Sequence, residues 1–228
     1  MASDDRAPPR AVGVELIQDL SAISPALSGF LRRHRHRIKT KLSDGTRTDT
    51  YVVDYVDRAP NRRDAVGAIA FIRDEDPLRT TVLLREQVRY PPYVVSGQAT
   101  MIECVAGIIE GDEPPEAAAL RELYEEAGIR AAPTAARQVG GWFYPSPGIL
   151  TERITIVAIE LDADALDGPL APPGDGSEME VGAELLSMSL GDALALADRG
   201  GTDDPYQIQD AKTELALFRL KRMLESEA

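Results

Sequence analysis

One cysteine, Cys104, is all the thiol chemistry available to a chain of 228 residues. No disulfide can close within it, and a thiolate zinc site lacks its further ligands. Cys104 lies in the apolar run 101–106, so a buried structural thiol is expected. Long hydrophobic runs are missing too, and no stretch is apolar over the length a bilayer requires. The N-terminus, Met-Ala-Ser-Asp-Asp-Arg, is acidic where a secretion signal is basic, and no apolar core follows it. The expected location is the cytoplasm. Positive charge is in deficit: 25 Lys and Arg against 38 Asp and Glu leave a net charge of -13. Such a surface repels nucleic-acid backbones and anionic membranes, so neither is an expected partner. Internal repeats are absent as well. What remains is a chain that is 43% hydrophobic, enough to bury a core and to argue against disorder throughout. Its length suits one large domain, or a domain with a small appendage.

Residues 1–11 read as a loose tail. Residues 12–33 read as helix interrupted near Pro25, with Leu16, Leu20, Ile23 and Leu27 as apolar positions. From Arg35 the period changes to two, and a turn signal at Ser43-Asp44-Gly45-Thr46 followed by strand formers over 50–56 predicts a hairpin. Strands are expected over 65–72, 80–85, 100–105, 154–161 and 184–188, with a loop opening at Pro91-Pro92. Helices are expected over 114–127, 190–199 and 206–225. The first has prolines in its opening turn and Gly128 as a left-handed stop. Mixed strands with helices between and after them predict an α/β or α+β sandwich.

The chemistry is concentrated in the helix at 114–127. Positions three and four apart share a helix face, so Glu122, Glu125 and Glu126 crowd three carboxylates within about one turn. Like charges that close lower helix stability, and Arg121 answers only part of them. Hard divalent cations take oxygen ligands of this kind and can carry phosphate oxygens as well. Leu120 and Leu123 with Ala117 and Ala127 supply an apolar side to bury, which turns the acidic side outward to a cleft or solvent.

Gly107, five residues, Glu113, seven residues, then Arg121-Glu122-Leu123-Tyr124-Glu125-Glu126-Ala127-Gly128-Ile129 resembles the Nudix box at every defined position. A chance match is on the order of one in ten million, from residue frequencies alone. The resemblance implies a Nudix fold, a mixed β-sheet sandwiched between helices and preceded by a β-rich N-terminal segment. It implies magnesium, with manganese as a substitute, held by Glu122, Glu125, Glu126 and the carbonyl of Ala106. Arg121 and Glu113 would tie the loop–helix–loop together.

Outside the box, Arg85-Glu86-Gln87-Val88-Arg89, Glu103-Cys104-Val105-Ala106-Gly107 and Ser146-Pro147-Gly148 with Thr151-Glu152-Arg153 look like the ADP-ribose and sugar-nucleotide pyrophosphatase branch. That likeness implies hydrolysis of ADP-ribose or a related nucleoside diphosphate sugar to a nucleoside monophosphate and a sugar phosphate. Arg89, Glu103 and Ser146 become candidates for holding substrate. The catalytic base is sought at Glu178 or Glu180, the other serving as an extra metal ligand, with Glu125 assisting catalysis. Of Trp142, Phe143 and Tyr144, one could stack on a base and at least two are expected in the core. The expected organisation is residues 1–60 as a helix and hairpin segment for homodimer formation, and 61–228 as the hydrolase domain. Competing readings are a ligand-sensing Nudix module without catalysis, and a Nudix enzyme for GDP-mannose, dinucleoside polyphosphates or oxidised nucleoside triphosphates.

Overall fold

The computed structural model describes residues 11–19, 31–58, 64–98, 100–168, 170, 172–174, 182–199 and 206–227. The chain divides into two compact units, residues 1–63 with 146–152, and residues 64–145 with 153–228.

The first unit contains a three-stranded antiparallel sheet of β1 (Ala11–Asp19), β2 (Leu31–Leu42) and β3 (Tyr51–Arg58), in that order. The helix expected over 12–33 is therefore overturned at both described ends, which are strand; residues 20–30 lie outside the described residues. Val12, Val14 and Leu16 already alternate with Gly13 and Glu15, the period of a strand. Pairing of Val14 with Thr40 and of Leu16 with Ile38 meets the backbone hydrogen-bonding need that a helix would have met internally. The β2–β3 hairpin forms as expected. Its turn is set by Asp44 Oδ1, which accepts from the Thr46 amide at 2.9 Å, and by Gly45 at a φ of 86°. Residues 146–152 join this unit through the Val56 amide, which donates to the Ile149 carbonyl at 2.8 Å.

The second unit is built on a mixed sheet of β4 (Ala65–Ile72), β5 (Thr81–Val88), β6 (Thr100–Glu103), β7 (Val105–Ile108), β8 (Ala136–Gln138), β9 (Ile154–Glu160) and β10 (Glu184–Ser189). The main path runs β10-β5-β4-β9-β8, with β6 on β5 and β7 on β4; the β4–β9 pair is parallel. The helices are α1 (Tyr90–Ser96), α2 (Pro115–Ala127), α3 (Leu190–Asp198) and α4 (Ala211–Glu227).

β4 is buried along nearly its whole length because both of its faces are covered. Val66, Ala68 and Ala70 pack with Ala119 and Leu123 of α2. Ala65, Ile69 and Phe71 pack with Leu190 of α3 and Leu217 and Leu220 of α4. Burying one such leucine contributes about 2 kcal/mol. The result is helix, sheet, helix, the sandwich that the pattern of elements predicted.

Two elements differ from expectation. The prolines at 91 and 92 do not open a loop; they sit in the first turn of α1, where a missing N–H removes no hydrogen bond. The strand expected over 100–105 is two strands, because β4 and β5 diverge. They pair directly only at Ala70–Leu83, Phe71–Val82 and Ile72–Thr81. Beyond that point β5 pairs with β6 and β4 with β7, and the chain changes partner at Cys104. The Cys104 amide is satisfied by Thr213 Oγ1 at 2.8 Å instead of a neighbouring strand. α4 starts at Ala211, later than expected, where Asp210 Oδ2 caps the Thr213 amide at 3.1 Å.

Candidate active site

The helix α2 ends at Gly128, whose φ of 73° lets its amide reach back to the Tyr124 carbonyl at 2.8 Å. Its buried stripe is Ala118, Ala119, Glu122, Leu123, Glu126 and Ala127. This corrects two expectations. Ala117 is exposed, and two of the three glutamates face inward with the apolar side chains, at 9% exposure for Glu122 and 7% for Glu126. Glu125 stands further out.

What draws the glutamates inward is the backbone of β7. A Cβ at position 107 would lie 1.8 Å from Glu122 Oε1, so only glycine lets that carboxylate approach the strand. The strand parity places the remaining polar groups. The Ile109 amide donates to the Asp64 carbonyl at 3.0 Å, so alternate residues of β7 face β4 and the others face α2. Ala106 and Ile108 are of the second kind. The Ala106 amide donates to Glu126 Oε2 at 3.4 Å, and the Ile108 carbonyl accepts from Arg121 Nη2 at 2.8 Å. N–H and C=O of one strand residue share an edge, so the Ala106 carbonyl looks the same way.

Two arginines balance these carboxylates. Arg121 Nη1 lies between Glu122 Oε1 at 2.8 Å and Glu125 Oε2 at 2.9 Å. Arg121 Nη2 also reaches Glu113 Oε1 at 2.8 Å, and Glu113 in turn accepts from the Glu110 amide at 2.8 Å. Burial works against the Glu113 charge, but the guanidinium prevails and holds its carboxyl below the ordinary range. The second arginine, Arg85 of β5, is the one the pattern of α2 did not announce. Its Nη1 meets Glu126 Oε1 at 2.7 Å with both side chains buried. Among the described residues no three acidic, histidine or cysteine side chains converge as a closed cation site; the guanidiniums stand between the carboxylates.

A second buried lattice lies where β5 and β6 leave the main sheet. Glu103 is 4% exposed and receives two bonds from Arg89, at 2.9 and 2.6 Å. It also accepts from Lys212 Nζ at 3.1 Å and from Gln87 at 3.2 Å. Burial alone would raise its pKa; hydrogen bonds and charge from Arg89 and Lys212 overcome that and bring it down to about 2. Arg89 and Glu103, both candidates for holding substrate, are thus each other's partners. Lys212 and Asp210, paired at 2.6 Å, complete the lattice. They were not singled out in the sequence, since the start of α4 carries no local sign of lying under Glu103. Cys104 next door is buried as expected, and burial pushes its thiol up to about 11.

Ser146 belongs to the first unit, where its carbonyl accepts from the Ile149 and Leu150 amides. Glu178 and Glu180 lie outside the described residues. Core packing of two of the three aromatics is overturned: only Phe143 packs on the core, while Trp142 and Tyr144 are exposed and meet edge to face at 5.3 Å. Arg153, held by Asp64, covers Trp142 at 5.1 Å.

Comparison with known proteins fits this geometry. A family model described as NUDIX domain matches residues 61–209. An ADP-ribose pyrophosphatase of Escherichia coli (strain K12) is 32% identical over 143 residues, 61% of this chain and 62% of the relative. The chain thus spans less than two thirds of that relative's length. An ADP-ribose pyrophosphatase of Bacillus subtilis (strain 168) is 30% identical over 199 residues, 83% of this chain and 94% of the relative. A GDP-mannose pyrophosphatase of Pectobacterium atrosepticum is 34% identical over 140 residues, 60% of this chain and 64% of the relative. A solved structure titled as that of an ADP compounds hydrolase has the same fold, with a TM-score of 0.60, 18% identity and 99% of both chains covered.

Proposed function

The chain belongs to the Nudix family, and on that premise we propose that it hydrolyses the diphosphate of ADP-ribose or a related nucleoside diphosphate sugar, giving a nucleoside monophosphate and a sugar phosphate. The observation that supports this reading is the approach of Glu126 and Glu122 of α2 to Ala106 and Gly107 of β7, with Glu125 joined to Glu122 through Arg121. These are hard oxygen donors around one helical turn, the set that suits magnesium, with manganese as its substitute. Glu122, Glu125, Glu126 and the Ala106 carbonyl would hold the ion. Bound there, magnesium would neutralise diphosphate oxygens and favour the ionised form of a bound water.

The chain's own groups do the rest. Gly107 admits the Glu122 carboxylate to the strand, and Arg121 fastens the loop before α2 by bridging Glu113 and the Ile108 carbonyl. Arg85 fixes Glu126 from the opposite strand. Arg89, anchored by Glu103, offers a planar fork for phosphate oxygens. Glu178 or Glu180 takes the proton of the attacking water, with Glu125 assisting. Water adds across one P–O bond of the anhydride, its oxygen going to one phosphorus and a proton to the departing phosphate. The protein acts as a homodimer in the cytoplasm in this reading. No helix among the described residues is long and apolar enough to cross a membrane.

The test is a panel of ADP-ribose, GDP-mannose, UDP-glucose, NADH and diadenosine polyphosphates with magnesium, read as phosphate released by a coupled phosphatase. Hydrolysis of a nucleoside diphosphate sugar, abolished by Glu126→Gln and by EDTA, is expected. Binding without turnover would favour the sensing module instead. Full turnover in Glu126→Gln would remove the metal assignment.

A further inference from the structure

On the face of the sheet away from α2, α4 buries Ala216, Leu217, Leu220 and Leu224. A cavity of about 440 Å³ lies beside it, lined by Arg137, Val139, Gly140, Arg219, Arg222 and Met223. A second, of about 540 Å³, shares Gly140, Arg219 and Arg222 and extends to Phe218. The two guanidiniums common to both are undersupplied with anions. Arg219 donates through Nη1 to the Val139 carbonyl at 3.0 Å and the Gly141 carbonyl at 2.7 Å, and its guanidinium lies over the Phe143 ring at 5.5 Å. Its Nε and Nη2 have no partner among the described residues, and Arg222 has neither hydrogen bond nor carboxylate there. The nearby acids are engaged: Glu227 with Arg137 and Arg73, Glu225 with Lys221 at 3.6 Å. Burial, and then the like charge of Arg222, lower the Arg219 pKa, as expected of paired cations without a counter-charge. Gly140 completes the arrangement. At a φ of +74° it brings backbone so close that a Cβ would meet the Arg219 Cζ at 3.0 Å. A side chain at position 140 would crowd the guanidinium out of this place, which its bonds to the Val139 and Gly141 carbonyls define.

We infer that this cavity is a second binding site, for a phosphate monoester dianion held between Arg219 and Arg222, with the esterified group against Val139 and Met223. Two guanidinium forks match the charge and the oxygen geometry of a dianionic phosphate. The volume is that of a small-molecule site, larger than a bare ion needs. The ester could come from a nucleoside monophosphate or from a sugar phosphate. Both the Arg219–Met223 stretch of α4 and the segment 137–141 lie outside the carboxylate site, so the inference stands independently of the hydrolase reading.

The test is calorimetric titration of the whole chain in EDTA with AMP, ribose 5-phosphate and inorganic phosphate, followed in parallel by fluorescence of Trp142, the single tryptophan. Saturable binding of one equivalent per chain is expected. It should weaken at least about ten-fold in Arg222→Gln, an exposed position, and in Gly140→Ala, and stay unchanged in Glu126→Gln. Tighter binding of AMP than of ribose 5-phosphate identifies a nucleoside monophosphate as occupant; the reverse identifies a sugar phosphate. No saturation at about 10 mM ligand, or equal binding by Arg222→Gln and wild type, overturns the site.

Discussion

Replacing Glu103 by glutamine keeps the shape of the side chain and removes its charge, which makes it a clean probe of the buried lattice. In the folded chain Glu103 has its pKa lowered from 4.5 to about 2. A shift of that size corresponds to about 3 kcal/mol of preference for the ionised form. Breaking a buried ion pair by removing one partner costs a similar ~3–5 kcal/mol, since the other charges stay buried. Glu103→Gln would leave Lys212, whose side chain is 13% exposed, with Asp210 alone, and Arg89 without its carboxylate. The expected loss of stability at pH 7 is therefore about 3 kcal/mol, measured by urea unfolding with Trp142 fluorescence. Because the folded pKa lies below the unfolded one, the Glu103 contribution is complete above about 4.5 and is lost as pH falls toward about 2. The gap between wild type and variant should narrow by about 2 kcal/mol between pH 7 and pH 3. A gap below about 1 kcal/mol at pH 7, or one equal at both pH values, would refute the reasoning.

Gly107→Ala should fold, judged by far-UV circular dichroism, yet lose at least about 100-fold in kcat at saturating magnesium, because the added methyl displaces the Glu122 carboxylate; wild-type turnover would contradict the placement. Gly128→Ala, at a φ of 73°, should cost about 1–2 kcal/mol in thermal or urea unfolding, and a neutral effect would mean that the end of α2 is not held there. Glu178→Gln should lower kcat by about 10²–10⁴ while leaving the substrate Kd unchanged by calorimetry; an unaltered rate would move the base to another carboxylate.

What the sequence shows and hides follows from the range of each interaction. α2 is legible because its signals are local: prolines at the start, glycine at the end, and glutamates at helical spacing. β1 is misread as helix because its partner is remote. Only the ladder to β2 makes Val14 and Leu16 strand residues, while a few leucines beyond them imitate a helical period. The break at Cys104 is invisible for the same reason, since nothing in the run 100–105 says that β5 and β4 will claim different halves of it. The glutamates are found but not their surroundings. Arg85 sits in a strand segment noted only as part of a longer likeness, and its contact with Glu126 exists only once sheet and helix are packed. Lys212 depends on the same long-range closure.

The divergence of β4 from β5 has an electrostatic consequence. Arg85, Gln87 and Glu103 are carried there by the hydrogen-bonded strands β5 and β6, and Glu122 and Glu126 by a helix seated on β4 and β7, all buried. Charges fixed to the stiffest part of a molecule, behind little water, cannot swing to follow an arriving anion. Their field is set before any ligand appears, and the reorganisation that bulk solvent would require is largely spared.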